Sequence, residues 1–212
     1  NAHLFRLELS AKSVENSGSL HTEEEQIIVA EKITNSGIIT GKEIQHIAGL
    51  YIVDGGQSIS DTTTLIRAGQ FVAASGKSTD KNALQSLDYM TSQGLISSQE
   101  GTFINVEGDA ITQGIKIETK NGNTIFVVEG DFTDVPLVLK SEFDAGGEEN
   151  YYRHTKVRNI LSEFSGKTVI FKIGGNTSFH GTKLSAEEKI GIYAKGLAKI
   201  QAVIDSEMEA SR

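Results

Sequence analysis

The chain of 212 residues has no cysteine, no tryptophan, one proline and two methionines. The missing cysteines exclude a disulfide framework and every thiolate metal site. No run approaches the ~18 apolar residues of a membrane-crossing helix. Positive charge is scarce: 20 Lys and Arg stand against 28 Asp and Glu, a net charge of −8. That balance argues against a nucleic-acid partner, because a phosphate backbone needs a basic surface. The near absence of proline suits continuous hydrogen-bonded ladders, which proline interrupts. With 38% hydrophobic and 23% charged residues, the composition is not that of a disordered chain. No secretory signal pattern opens the chain. It starts at Asn1 and reaches Leu4-Phe-Arg-Leu-Glu-Leu9 at once, which reads as a segment cut from a longer protein.

What the chain does have is glycine, 22 of them, mostly at turn-like positions, and phrases that repeat. Ala11-Lys-Ser-Val14-Glu-Asn16-Ser17-Gly18-Ser-Leu20 returns as Ala30-Glu-Lys-Ile33-Thr-Asn35-Ser36-Gly37-Ile-Ile39, an offset of 19 residues. Val106-Glu107-Gly108-Asp109 returns 22 residues later as Val128-Glu129-Gly130-Asp131. The run from Val169 to Phe179 returns as Ile190 to Ile200, an offset of 21. A period near 20 with β-type composition predicts a solenoid. A hairpin has no use for such a period, whereas a coil of three short strands and three turns does. Equivalent residues then stack at the strand spacing. Val14 is expected over Ile33, Leu20 over Ile39, and Asn16 over Asn35 in an amide ladder.

The expected fold class is therefore all-β, a right-handed parallel β-helix of ~20-residue coils with short helical or hairpin excursions. About ten coils, roughly 50 Å long, is the ceiling. Coils are assigned to 1–76, 94–131 and 166–205. An excursion at 77–93 carries Ala83, Leu84, Leu87 and Met90 at helical spacing, capped by Thr79 or Asp80 and ended by Gly94. A second, irregular excursion covers 132–165, where Val157, Ile160, Leu161 and Phe164 fit a helix and also a strand. The tail, 206–212, is polar and expected to fray. Asn121-Gly122 marks either a small hairpin or one more coil corner.

Chemical motifs are weak. Phe71 to Ser78 and Leu161 to Thr168 end in Gly-Lys-Ser and Gly-Lys-Thr, but Phe71 and Leu161 stand where a phosphate loop needs glycine. Turns with a solvated lysine are the better reading. His3, His21, His46, His154 and His180 show no pairing at metal-ligand spacing and read as surface residues, with His21 and Thr40 at equivalent corners. No cofactor and no catalytic residue is assigned. Stacked Asp109 and Asp131 fit turn acids better than a catalytic groove. The best recognition candidate is Tyr151-Tyr152-Arg153-His154, since aromatics and arginine anchor interfaces and the cluster lies outside the repeat. The competing reading has both tyrosines covering the open apolar end of a coil.

The Ala-x-x-Val/Ile-x-Asn-Ser-Gly phrase resembles the repeats of filamentous haemagglutinins. Gly166-Lys-Thr-Val-Ile-Phe-Lys-Ile-Gly174-Gly175-Asn-Thr-Ser-Phe-His-Gly181-Thr-Lys-Leu184-Ser-Ala186 is similar to their second repeat class. Ile47-Ala-Gly49-Leu50-Tyr51 and Leu95-Ile-Ser-Ser98 resemble the region before it in contact-dependent toxin-delivery proteins. The likeness covers most of the chain outside roughly 77–92 and 140–160. It implies a two-partner secretion passenger, secreted to the bacterial outer-membrane surface. Its partners would be the outer-membrane transporter of the parent protein and a protein or glycan receptor on a host or target cell. The expected function is a non-enzymatic structural and binding segment of an adhesin or toxin-delivery filament. A β-helix polysaccharide lyase or hydrolase and a host-protein-binding effector stand as alternatives. Open coil edges add possible end-to-end self-association of the segment.

Overall fold

The structure, a computed structural model, describes residues 1–147 and 150–211. The described chain is all β, without helix, and winds into a parallel solenoid of about nine turns. The first turns hold β1 (Ala2–Leu4), β2 (Leu7–Asn16), β3 (Ser19–Thr22), β4 (Glu25–Asn35), β5 (Ile38–Gly41), β6 (Glu43–Asp54), β7 (Gln57–Ser60) and β8 (Thr63–Ala74). A hairpin, β9 (Gly76–Lys81) and β10 (Gln85–Ser92), follows. Next come β11 (Leu95–Ser98), β12 (Gly101–Val106), β13 (Ala110–Gln113), β14 (Lys116–Thr119), β15 (Asn123–Val128) and β16 (Phe132–Val135). A long hairpin, β17 (Leu137–Gly146) and β18 (Tyr151–Ile160), leaves the coil. The chain ends with β19 (Glu163–Ile173), β20 (Thr177–His180), β21 (Lys183–Ala194), β22 (Ala198–Gln201) and β23 (Ser206–Ser211).

Three faces result, each a parallel ladder. The first stacks β1, β3, β5, β7, β11, β14 and the starts of β19 and β21. The second stacks the first halves of β2, β4, β6 and β8, then β12, β15 and the later parts of β19 and β21. The third stacks the second halves of β2, β4, β6 and β8, then β13, β16, β20 and β22. The repeats give the register directly: Val14 pairs with Ile33, Leu20 with Ile39, Val169 with Ile190 and Phe179 with Ile200.

Alternation along each strand sends one set of side chains inward. Ile28, Ile33, Ile66, Phe71, Phe126 and Phe171 are fully buried. Tyr51 stacks on Phe71 at 5.8 Å and Phe126 on Phe171 at 5.6 Å. Each large buried side chain contributes roughly 1.5–3 kcal/mol. At one corner, glycines form a column in which each N–H donates to the carbonyl of the glycine one coil earlier: Gly108 to Gly69, Gly130 to Gly108, Gly175 to Gly130 and Gly196 to Gly175, at 2.7–3.0 Å. A Cβ on Gly130 would lie 2.7 Å from the Gly108 carbonyl oxygen, so this close approach requires glycine.

Some expectations are corrected, and two open alternatives are decided. Residues 77–93 form no helix; β9 and β10 pair antiparallel. Thr79 and Asp80, the expected cap, lie within β9, and Asn82 makes the turn, its Oδ1 accepting the N–H groups of Leu84 and Gln85. The helical spacing at 157–164 is likewise strand, divided between β18 and β19. The tail does not fray: β23 pairs with β18 from Ser206 to Ser211. Asn121-Gly122 is a coil corner, since β14 and β15 stack on different parallel neighbours.

Candidate functional site

The two excursions and the tail build one structure. β23, β18, β17, β10 and β9 form, in that order, a separate antiparallel sheet of five strands. All its strands leave the solenoid at the same corner, between the third face and the first. The first two coils turn this corner at Ser17-Gly18 and Ser36-Gly37 without positive φ; three later ones do so at Gly55, Gly114 and Gly181, with φ of 67°, 57° and 66°. Backbone hydrogen bonds align those glycines with Ser75, Pro136 and Ala202 in the intervening coils. Left-handed backbone suits glycine and is closed to proline. In the coils that carry Ser75, Pro136 and Ala202 at that position, the chain leaves and a strand of the outer sheet begins.

The register of this sheet separates the tyrosine cluster. Tyr151 pairs with Gly146, Tyr152 with Ala145, Arg153 with Asp144 and His154 with Phe143. Alternation puts Tyr151 and Arg153 on one face and Tyr152 and His154 on the other. Both tyrosines are 38% exposed. They lie on β18, which among the described residues pairs with β17 and β23 and with no coil strand. Arg153 Nε and Nη2 both donate to Asp144 Oδ2, at 3.0 and 2.7 Å. That bond to Asp144 holds the guanidinium's pKa above its ordinary value. On the opposite face the Tyr152 ring lies 5.8 Å from Phe143, and His154 Nε2 lies 2.8 Å from Glu207 Oε1. The hydrogen bond to His154 lowers the pKa of Glu207, with Lys156 adding to it. Leu87, Tyr89 and Met90 on β10 are also exposed. Sequence reasoning missed their membership of this surface because they sit some sixty residues from the tyrosines.

Other residues read from the sequence have structural work. Asp109 Oδ1 accepts the N–H of Asp131, Asp131 Oδ1 that of Asn176, and Asn176 Oδ1 that of Leu197. The acids therefore stitch one coil to the next. Asn16 donates to Asn35 Oδ1 at 2.9 Å, the expected amide ladder. Lys77, within the first Gly-Lys-Ser, pairs with Asp88 at 3.1 Å, and Gly166-Lys167-Thr168 lies in a bulge of β19. Neither precedes a helix. His46 corrects the reading of all five histidines as surface residues: it is 0% exposed. It lies 2.9 Å from both the Tyr51 hydroxyl and Gln26 Oε1. Burial drives its pKa down to about 4 and that of Tyr51 up to about 12.

The carboxylate of Asp134 is buried. Thr112 Oγ1 donates to Asp134 Oδ1 at 2.6 Å, and Thr182 Oγ1 donates to Oδ2. Burial raises the Asp134 pKa, and these hydroxyls offset part of the rise. Ser178 Oγ lies 2.6 Å from His180 Nε2. No hydrogen bond joins His180 to Asp134 among the described residues, so the three do not form a nucleophile relay. No group of three His, Asp or Glu is placed to hold a metal among the described residues.

No family model, curated protein or solved structure matches this chain. The site thus stands on its own geometry: an exposed sheet with aromatic, arginine and aliphatic side chains on both faces, held at one corner of a rod. Such a surface can bind.

Proposed function

We propose that this chain is a non-enzymatic structural and binding segment of a secreted, cell-surface adhesin or toxin-delivery filament. The rod is its spacer and the outer sheet its recognition element. One observation carries the reading. Excursions far apart in sequence leave the same corner and combine into a single sheet, and this sheet exposes Tyr151, Tyr152 and Arg153. The repeated residues are meanwhile consumed in stacking the coils. Anchors of this type dominate binding energy when a partner desolvates them. The parent's transporter and its protein or glycan receptor are the partners this reading entails.

The test has two parts. Antibodies against the chain are expected to label intact source cells without permeabilisation. Labelled chain is expected to bind target cells, with Tyr151→Ala and Arg153→Ala each weakening binding about tenfold or more at unchanged melting temperature. Labelling only after permeabilisation contradicts the reading. So does release of unsaturated uronate from acidic polysaccharides that Asp109→Asn abolishes, which would favour the lyase.

A further inference from the structure

A second surface lies on the flank of the rod, apart from the outer sheet. On the second face, the outward side of β15, β19 and β21 carries an open groove of about 850 Å3. Its floor is apolar, from Val127 and Ile170, and Tyr193 closes one side. Its rim carries Lys172, Lys189 and Lys195, opposed by one acid, Glu129. Two glycines make the space. Gly174 stands between Glu129 and Lys195 in one column and supplies no side chain. Gly191 follows Ile125 and Ile170 in the next, and the Tyr193 ring covers its place, 2.7 Å from where a Cβ would be. The Lys189 ammonium lies 5.5 Å over that ring.

Charge sets the chemistry of the occupant. Residues 166–201 hold six lysines and two glutamates, a balance of +4, in a chain of net −8, which leaves −12 for the remainder. Lys172, Lys189 and Lys195 have no ion pair among the described residues, whereas Lys42, Lys77, Lys116, Lys140 and Lys183 do. An acidic protein thus presents free cations around an apolar floor. Backbone pairing is closed there, because β15 and β19 are bonded to strands on both sides. A partner cannot add as a strand at the floor and is read there through side chains, while β21 at the groove's edge is paired on one side only among the described residues.

We propose that this groove binds an acidic segment of a partner protein that carries apolar side chains between its carboxylates. Its aliphatic groups rest on Val127, Ile170 and Tyr193, and its carboxylates pair with the three lysines. This site is independent of Tyr151 and Arg153, so its failure leaves the cell-binding test above untouched.

The experiment titrates the full chain with a synthetic peptide of alternating Glu and Leu by calorimetry. Comparison probes are an all-Glu peptide, a Lys–Leu peptide and oligogalacturonate. The Glu–Leu peptide is expected to bind at least tenfold more tightly than the other three. The triple variant Lys172→Gln, Lys189→Gln, Lys195→Gln and the single variant Tyr193→Ala are each expected to weaken it at least tenfold. Tyr193→Phe, which keeps the ring, is expected to retain binding and guards against a folding artefact. A Lys42→Gln, Lys140→Gln variant controls for bulk charge and is expected to bind as the parent does. Equal binding of the Lys–Leu peptide overturns the proposal, as does indifference to the triple substitution. Tighter, lysine-dependent binding of oligogalacturonate overturns it in favour of a saccharide site.

Discussion

His46 ties the stability of the fold to pH. In the folded chain its pKa is depressed to about 4 by burial, against an unfolded value near 6.5. Above pH 6.5 both states are neutral and its contribution to stability is complete. As pH falls, the unfolded state takes up the proton first, and stability is lost between pH 6.5 and about 4. The loss is roughly 3 kcal/mol over that window. Urea unfolding across it is expected to show the slope in the parent and a flatter profile in His46→Gln. Asp134 has the opposite sign. Its folded pKa is raised, so the stability it contributes below the ordinary carboxylate value is lost as pH rises through the raised one. Asp134→Asn is therefore expected to be neutral or stabilising at pH 7. A clear destabilisation there would show that its charge-assisted bonds outweigh its desolvation. In the corner column, Gly130→Ala is expected to cost about 1–3 kcal/mol, because the new methyl meets the Gly108 carbonyl. Asp131→Ala, which loses only the bond from the Asn176 N–H, is expected to cost about 1 kcal/mol.

At the level of elements, what the sequence made legible follows from what repeats. Asn16 and Asn35, or Val169 and Ile190, are stacked because coil geometry puts equivalent residues in one column, and a period is visible without any tertiary information. The excursions have no such signature. Leu84, Leu87 and Met90 fit a helical stripe, yet β10 forms because β9 on one side and β17 on the other satisfy its backbone. That pairing joins residues more than fifty positions apart, which local propensity does not encode. The polar run Ser206 to Ser211 reads as a tail until β18 supplies its partner. The candidate cluster Tyr151 to His154 was visible by residue type, but its division between two faces depends on strand alternation that a helix-or-strand ambiguity left open. His46 escaped because a lone histidine gives no sign of burial; only the inward set of β6 reveals it. The corner glycines suggest a test of element logic. Replacing Gly76 to Gln93 by a short glycine turn, with Ser75→Gly, is expected to leave the coils intact by circular dichroism while removing an edge of the outer sheet. Global unfolding would show that the hairpin is part of the rod's core.

Over the whole molecule, the rod combines an acidic body with basic last turns, and the last described turn exposes Leu197, Ile200 and Ile204 at 67%, 73% and 84%. Exposed aliphatic side chains on a strand edge favour association. Light scattering is expected to show concentration-dependent species that Ile200→Lys suppresses; a strictly monomeric chain at all concentrations would contradict this. Separate excursions meet in one outer sheet, and the lack of cysteine makes that meeting directly measurable. Leu87 on β10 pairs with Ser141 on β17. Opposed residues in antiparallel strands lie about 4.5–5.5 Å apart, within disulfide reach, whereas a diagonal pair at ~7–8 Å is not. Mild oxidation of Leu87→Cys, Ser141→Cys is expected to give an intramolecular disulfide in high yield, with little in Leu87→Cys, Leu139→Cys. No crosslink in the first pair, or equal crosslinking in both, would contradict a single sheet built from the two excursions.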